Sequence, residues 1–461
     1  MSYYEQDSRV NNPLSSEQKK ASVSTEQLKA LVSEALAEAK HQGASSAEAN
    51  ISINFGLSAT VRLGEVETVE HNRDQGLALT LFFGKKSGSA STSDLSPGAL
   101  RDCVRAAATI ARYTAADEFS GLADPDQLAR DFPDLDLYHP WNPGVERAIE
   151  LAKACEDAAR AADARVTNSE GASVSSHESL DVYANSHGFL GAISTTRHGI
   201  SCAVIGEDDT GMQRDYWYAS VRDFADLGTP ESIGRQAALR TVRRLGGRKL
   251  ATRKTPVIYE APVATSLLSH FVSAIRGSSL YRRSSFLLDH LGKPVFAPTV
   301  RIHEQPFLKK ALGSTAFDND GVAPANRDLV RDGILQGYVL DVYSARKLGM
   351  RSTGNAGGVH NLIIEPGDKD LSGLLKQMHT GFLVTELIGF GINGVTGDYS
   401  RGAAGFWVEN GEIQYPVEEI TIAGNLKDMY REILAIGNDV DTRGNIRSGS
   451  ILIESMTLAG S

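Results

Sequence analysis

Cysteine is scarce in this chain: three in 461 residues, at Cys103, Cys155 and Cys202. No two form a Cys-x-x-Cys pair, and so sparse and odd a set excludes a disulfide-stapled fold and points to a reducing compartment. Long apolar runs are lacking as well. The longest lies near Leu77–Phe83, far short of the ~18 residues a membrane-spanning helix needs. The opening residues, MSYYEQDSRVNN, carry neither a basic n-region nor an apolar h-region, so a secretory signal is not expected. The expectation is a cytoplasmic protein with no membrane attachment. Excess positive charge is missing too: 47 basic and 57 acidic side chains give a net charge of −10, which argues against a broad electrostatic grip on nucleic acid. What remains is ordinary globular composition, 41% hydrophobic and 23% charged, with length enough for two or three domains.

Residues 1–22 are polar and aperiodic and read as a mobile tail. A helix opens at Ser24 with Gln27 at capping-box spacing, carries Leu28, Leu31, Val32, Ala35, Leu36 and Ala39 on one face, and stops at Gly43. The period then changes to two. Ala49, Ile51, Ile53, Phe55, Leu57, Ala59, Val61 and Leu63 alternate with mostly polar residues, and Leu77, Leu79, Leu81 and Phe83 repeat the pattern after a turn at Gly64. Short connections between such strands predict antiparallel pairing. Ser96-Pro97, Asn142-Pro143 and Thr229-Pro230 open three more helices. Strand patterns return between about Val166 and Ser220, and beyond about residue 250 glycine-rich, hairpin-like strands dominate, with helical patterns near 261–275 and 424–435. The fold class is therefore α+β: an N-terminal domain of antiparallel sheet with helices over 23–240 and a β-rich C-terminal domain over 241–461.

Several short motifs have a simpler reading than the chemical one. Gly389-Phe-Gly391-Ile-Asn-Gly394 matches G-x-G-x-x-G, but the residues after it cannot begin a good helix, so the glycines mark a tight bend or close backbone approach. Ser344-Ala-Arg-Lys347 lacks the partner motifs of a serine acyl-enzyme. Asp318-Asn-Asp320-Gly321 lacks the closing Glu of a calcium loop and reads as a turn. Arg235–Lys254 holds eight basic residues and no acid, the signature of a solvated or interface-lining helix, with local phosphate binding as the alternative. His177-Glu178 and His303-Glu304 lack a second His four or five residues on, so they read as surface residues on strands rather than halves of a zinc site.

Longer motifs carry more. Tyr343-Ser-Ala-Arg-Lys-Leu-Gly349, Ser352-Thr-Gly-Asn-Ala-Gly-Gly-Val-His360-Asn361, the run Gly397–Gly411 and the segment Pro416–Leu426 closely resemble the TldD/PmbA family, which also bears the older label of gyrase modulators. The resemblance is greatest to the PmbA, or TldE, branch and spans nearly all of the chain after the tail. In that family the TldD subunit is a zinc peptidase whose helix carries His-Glu-x-x-x-His, completed by a cysteine near the C-terminus. Matched to this chain, the helix motif falls on Ser269, His270 and Ala274, and no cysteine follows Cys202. One His cannot assemble a three-ligand zinc site.

The resemblance implies a non-metal subunit that pairs with a zinc-bearing TldD-type partner to process or degrade unstructured peptides, among them a microcin precursor and an antitoxin. No cofactor is expected in this chain, no catalytic residue of its own, and a homodimer in isolation is plausible. Exposed strand edges in the second domain would hold extended peptide by β-augmentation. Gly357, His360 and Asn361, with Asp398, Tyr399 and Arg401, are the expected substrate- or partner-facing residues. The alternative from another class is a non-enzymatic regulatory protein.

Overall fold

A computed structural model describes residues 24–460 of the chain, so the tail expected over 1–22 lies outside the described residues. The first helix, α1 (Thr25–His41), starts with the capping box its sequence encodes: the Ser24 hydroxyl accepts from the Gln27 amide while the Gln27 side chain accepts from the Ser24 amide. Next come β1 (Ser46–Arg62), β2 (Glu65–Phe83), β3 (Lys86–Thr92), α2 (Pro97–Tyr113), α3 (Gly144–Ala161), β4 (Val166–Asn185), β5 (Leu190–Asp208), β6 (Gly211–Val221) and α4 (Pro230–Val242). The six strands form one sheet in the order β3-β2-β1-β4-β5-β6, every neighbour antiparallel.

Alternation in β1 sets the layering. Ala49, Ile51 and Ile53 join a core with α1 and α2, whereas Leu57, Ala59 and Val61 join a core with α3 and α4. Because side chains alternate, all six residues share one face, and the four helices cover that face side by side. The helices α3 and α4 pack with no gap at Gly234, where an added Cβ would sit 1.9 Å from the Cys155 carbonyl. The other face carries Tyr183, which packs with Phe189, Phe317 and Val322 and so ties the sheet to the second half of the chain. One strand is longer than its sequence pattern. β2 begins at Glu65 rather than near Leu77, and its first ten residues are exposed on both faces, so no alternation marks them.

The second half comprises β7 (Arg253–Tyr259), α5 (Ala261–Ile275), α6 (Gly277–Tyr281), β8 (Ile302–Glu304), β9 (Arg327–Arg331), β10 (Ile334–Leu335), α7 (Val342–Lys347), β11 (Leu362–Ile364), α8 (Leu371–Met378), β12 (Gly381–Ile388), β13 (Asp398–Glu409), β14 (Glu412–Asn425), α9 (Leu426–Arg431), β15 (Ile433–Ile436), β16 (Ile446–Arg447) and β17 (Ile451–Ala459). The helix expected near 424–435 shrinks to α9, because β15 starts at Ile433 and pairs with β17. A small sheet runs β10-β9-β8-β11-β16. The main ladder runs β14-β13-β12-β7-β17-β15, and β14 pairs with β17 again over Thr421–Ala423 to close it.

That closure confines the open strand edges expected in this half to short ones, at β15, β10 and β16. The longer edges paired on one side only belong to the N-terminal sheet: β6, and the part of β2 that β3 does not reach. Inside the closed ladder, α5 buries Leu267, Leu268 and Phe271 against Tyr259, Tyr399 and Tyr430, and the Tyr430 hydroxyl donates to the Leu267 carbonyl at 2.8 Å. The β12–β13 hairpin ends in the glycine cluster 389–394. At Gly391 an added Cβ would lie 1.5 Å from the Ser400 carbonyl, which is the close approach its sequence suggests.

Candidate functional site

Two constellations contain the residues singled out from the sequence. The first is a cleft of about 420 Å³ lined by Gly313–Thr315, Asn319, Gly357–His360 and Asn445, with Arg197 reaching in from β5. Its Gly357–His360 wall is held from outside the cleft by Glu304, which is 2% exposed. One carboxylate oxygen of Glu304 accepts from the Arg327 Nε at 3.0 Å. The other accepts from the Asn355 amide at 2.7 Å and from the His360 backbone N–H at 2.6 Å. Arg327 in turn donates to the Asn355 side chain and to the Tyr338 carbonyl. The expectation of a surface Glu304 is thereby corrected. A period-two strand places His303 and Glu304 on opposite faces, and the inward face here belongs to a buried ion pair.

Asn361 is also corrected. It is fully buried at φ 46°. Its amide donates to the Gln305 carbonyl and the Ser314 hydroxyl and accepts from the Gly313 N–H. It holds the cleft wall from behind and faces neither substrate nor partner. His360 keeps one ring nitrogen on the Gly354 carbonyl at 2.9 Å, and Gly357, at φ 105°, sits exposed on the rim. Asp318 lies at the cleft too. Its carboxylate accepts from the backbone N–H groups of Asp320, Val322 and Ala356, so the turn reading of Asp318–Gly321 is correct. Burial, reinforced by the charge of Asp320, pushes Asp318 up to about 7.

The second constellation joins two motifs distant in sequence. Tyr399 and Arg401 stand two residues apart on β13 and therefore share a face. His270 of α5 meets them there, its ring 6.2 Å from that of Tyr399. Tyr399 is 1% exposed. Its hydroxyl, the Nε of Arg401 and the Nε2 of His270 are all buried without a hydrogen-bond partner among the described residues. Burial, and secondarily the charge of Arg401, push the His270 imidazole below its usual range. The flanking residues are ordinary: Ser269 is exposed and donates to the Thr265 carbonyl, and Ala274 is buried. Asp398 points outward and is held by Thr396 and Asn425.

The basic segment after residue 235 resolves as a charge-matched interface. Arg240 pairs with Glu260 at 2.9 Å and with Asp215, Arg243 pairs with Glu260 at 3.1 Å, and Arg244 reaches Asp215 and Glu386. These guanidinium groups already have carboxylates, so the phosphate alternative fails for them.

Comparison with known proteins agrees with this architecture. Three family profiles tile the chain: PmbA/TldA metallopeptidase domain 1 at residues 47–111, the central domain at 138–245 and the C-terminal domain at 252–460. The metalloprotease PmbA of Escherichia coli O157:H7 is 52% identical over 425 residues, 92% of this chain and 94% of that protein. The chain belongs to the PmbA/TldD family. The metalloprotease PmbA homolog of Haemophilus influenzae is 49% identical over 436 residues, 94% of this chain and 96% of its own length. A crystal structure from Bacteroides thetaiotaomicron, described as a candidate modulator of DNA gyrase, superposes with TM-score 0.90 at 31% identity and covers 95% of this chain and 100% of its own. No helix among the described residues is long and apolar enough to cross a membrane.

Family membership raises the question of zinc. Zinc is held by thiolate, imidazole and carboxylate. At α5 of this PmbA/TldD member the groups facing the imidazole are a phenol and a guanidinium, and a guanidinium repels a cation. The residues at this position do not fit the metal.

Proposed function

We propose that this chain is the non-metal subunit of a TldD/TldE-type peptidase and acts on unstructured peptides only with a zinc-bearing partner. The observation that carries this reading is that α5 offers Ser269, His270 and Ala274 where the resemblance places a metal-ligand motif, one imidazole with Arg401 beside it. Membership of a metallopeptidase family and 52% identity to a protein named metalloprotease PmbA support a role in proteolysis. The cleft beside Gly357–His360 is the surface we assign to peptide or partner, with zinc in the other subunit. Cytoplasmic residence fits three scattered free cysteines.

The test is complementation. The chain is mixed with a family member that carries His-Glu-x-x-x-His, and cleavage of an unfolded peptide is measured for each alone and together. The reading predicts cleavage by the mixture well above that of the partner alone and none by this chain. A mixture no better than the partner alone would contradict it and favour a regulatory role without proteolysis.

A further inference from the structure

We propose that Arg401, Tyr399 and His270 form an anion site that takes a carboxylate of a bound peptide. The case begins with what these groups lack. Buried polar atoms are nearly always hydrogen-bonded, and leaving one unmet destabilises the fold. Here three orphans from two remote segments meet on one face: the Tyr399 hydroxyl, the Arg401 Nε and the His270 Nε2. The nearby Tyr259 hydroxyl donates to the Met456 sulfur at 3.5 Å and lies beside the Tyr399 hydroxyl, so the two phenols face the same spot.

The charge tells the same story. The part-buried arginines Arg240, Arg327 and Arg443 each hold a carboxylate, at 2.9, 3.0 and 2.6 Å. Arg401, half-buried, pairs with no carboxylate among the described residues; Arg222 and Arg447 also lack one, Arg222 being met by the Thr196 and Leu312 carbonyls, but neither lies beside other unmet donors as Arg401 does. The nearest acid along its strand, Asp398, is exposed and occupied by Thr396 and Asn425. A half-buried guanidinium without a counter-ion is an attractor for one.

The donor set selects the ligand. A carboxylate offers two oxygens with about four lone-pair sites in a plane, which the guanidinium fork, a phenol O–H and an imidazole N–H can fill together. Burial pushes Tyr399 upward, outweighing the opposing effects of the neighbouring Tyr259 hydroxyl and Arg401, so its hydroxyl keeps the proton it donates. Arg401 is only half-buried, so the group of donors is approached along its side chain. The anion site stands on this geometry alone; only the identification of the carboxylate as a peptide's rests on the proposed function.

Calorimetric titration of the full chain, without any partner subunit, tests it. Three probes are compared: a short peptide with a free C-terminal carboxylate, its C-terminal amide, and an amidated peptide with one internal Glu. At least one carboxylate-bearing probe should bind ~10-fold or more tightly than the amide, the worth of one charge-assisted hydrogen-bonded pair. Which of the two binds identifies a chain terminus or an acidic side chain as the source. Arg401→Gln should lose ~10-fold or more of that affinity, and Tyr399→Phe a few-fold with no loss of thermal stability. Equal binding of all three probes, unchanged affinity in Arg401→Gln, or tighter binding of inorganic phosphate than of any carboxylate would overturn the proposal. Failure here leaves the complementation result untouched, because that assay reads cleavage by the pair and this one reads binding by the chain alone.

Discussion

The Ser352–Asn361 loop and the Tyr399–Arg401 strand segment both carry family motifs, yet they treat their polar groups in opposite ways. In the loop, Asn355, His360 and Asn361 are bonded to Glu304, Arg327, Gln305 and Ser314. In the strand, the Tyr399 hydroxyl and the Arg401 Nε make no well-formed hydrogen bond among the described residues. The contrast separates two meanings of a motif. A matched network specifies a shape, here the loop that walls a cleft. An unmatched one costs folding energy that a ligand can return.

The sharpest way to break this comparison is at the loop's anchor. Glu304→Ala strands Arg327 and Asn355 and should cost ~3–5 kcal/mol in urea denaturation, as loss of one member of a buried ion pair does. Asn361→Ala removes three hydrogen bonds and places alanine at a positive φ, for a loss of ~2–4 kcal/mol by the same assay.

Asp318 sharpens the comparison through pH. Its native value is raised from 3.8 to about 7, so the folded state holds this proton more tightly than the unfolded one. The stabilisation is complete below about pH 4 and is lost as pH rises through about 7, at no more than ~1.4 kcal/mol per pH unit. The stability difference between the wild type and Asp318→Asn should fall across that window; a flat difference would show that the carboxyl titrates normally. The smallest effect belongs to the unmatched strand. Tyr399→Phe removes a hydroxyl with no partner and should shift stability by less than ~0.5 kcal/mol, or raise it. A loss above ~1 kcal/mol would make the hydroxyl structural and merge the two classes.

Legibility in the sequence followed the same division. Helix starts at Ser24, Ser96 and Thr229 were readable because a capping side chain acts within three residues, and each accepts from the expected amide. The alternation of β1 was readable because one face is buried. The first half of β2 was not, because it is exposed on both faces. Closure of the second ladder depends on β14 meeting β17, a long-range pairing with no local pattern. Glu304 was read as a surface residue because alternation marks two faces without saying which is inside, and Asn361 was read as part of an outward loop because its partners Gln305, Gly313 and Ser314 are remote in sequence. His270, Tyr399 and Arg401 were each singled out, but their convergence is a product of α5 packing within the ladder. Arg240 and Arg244 could be read only as a solvated or interface-lining run, and the choice between the two lay out of reach because their partners Asp215, Glu260 and Glu386 lie on other elements.

The central claim is that the α5 position of this chain no longer serves a metal. Its most direct test is the zinc content of the purified full-length chain after dialysis against zinc and then zinc-free buffer, with a His-Glu-x-x-x-His relative treated in parallel. The account predicts bound zinc in the relative and far less than one ion per chain here. Stoichiometric zinc in this chain, lost on substitution of His270, would contradict it.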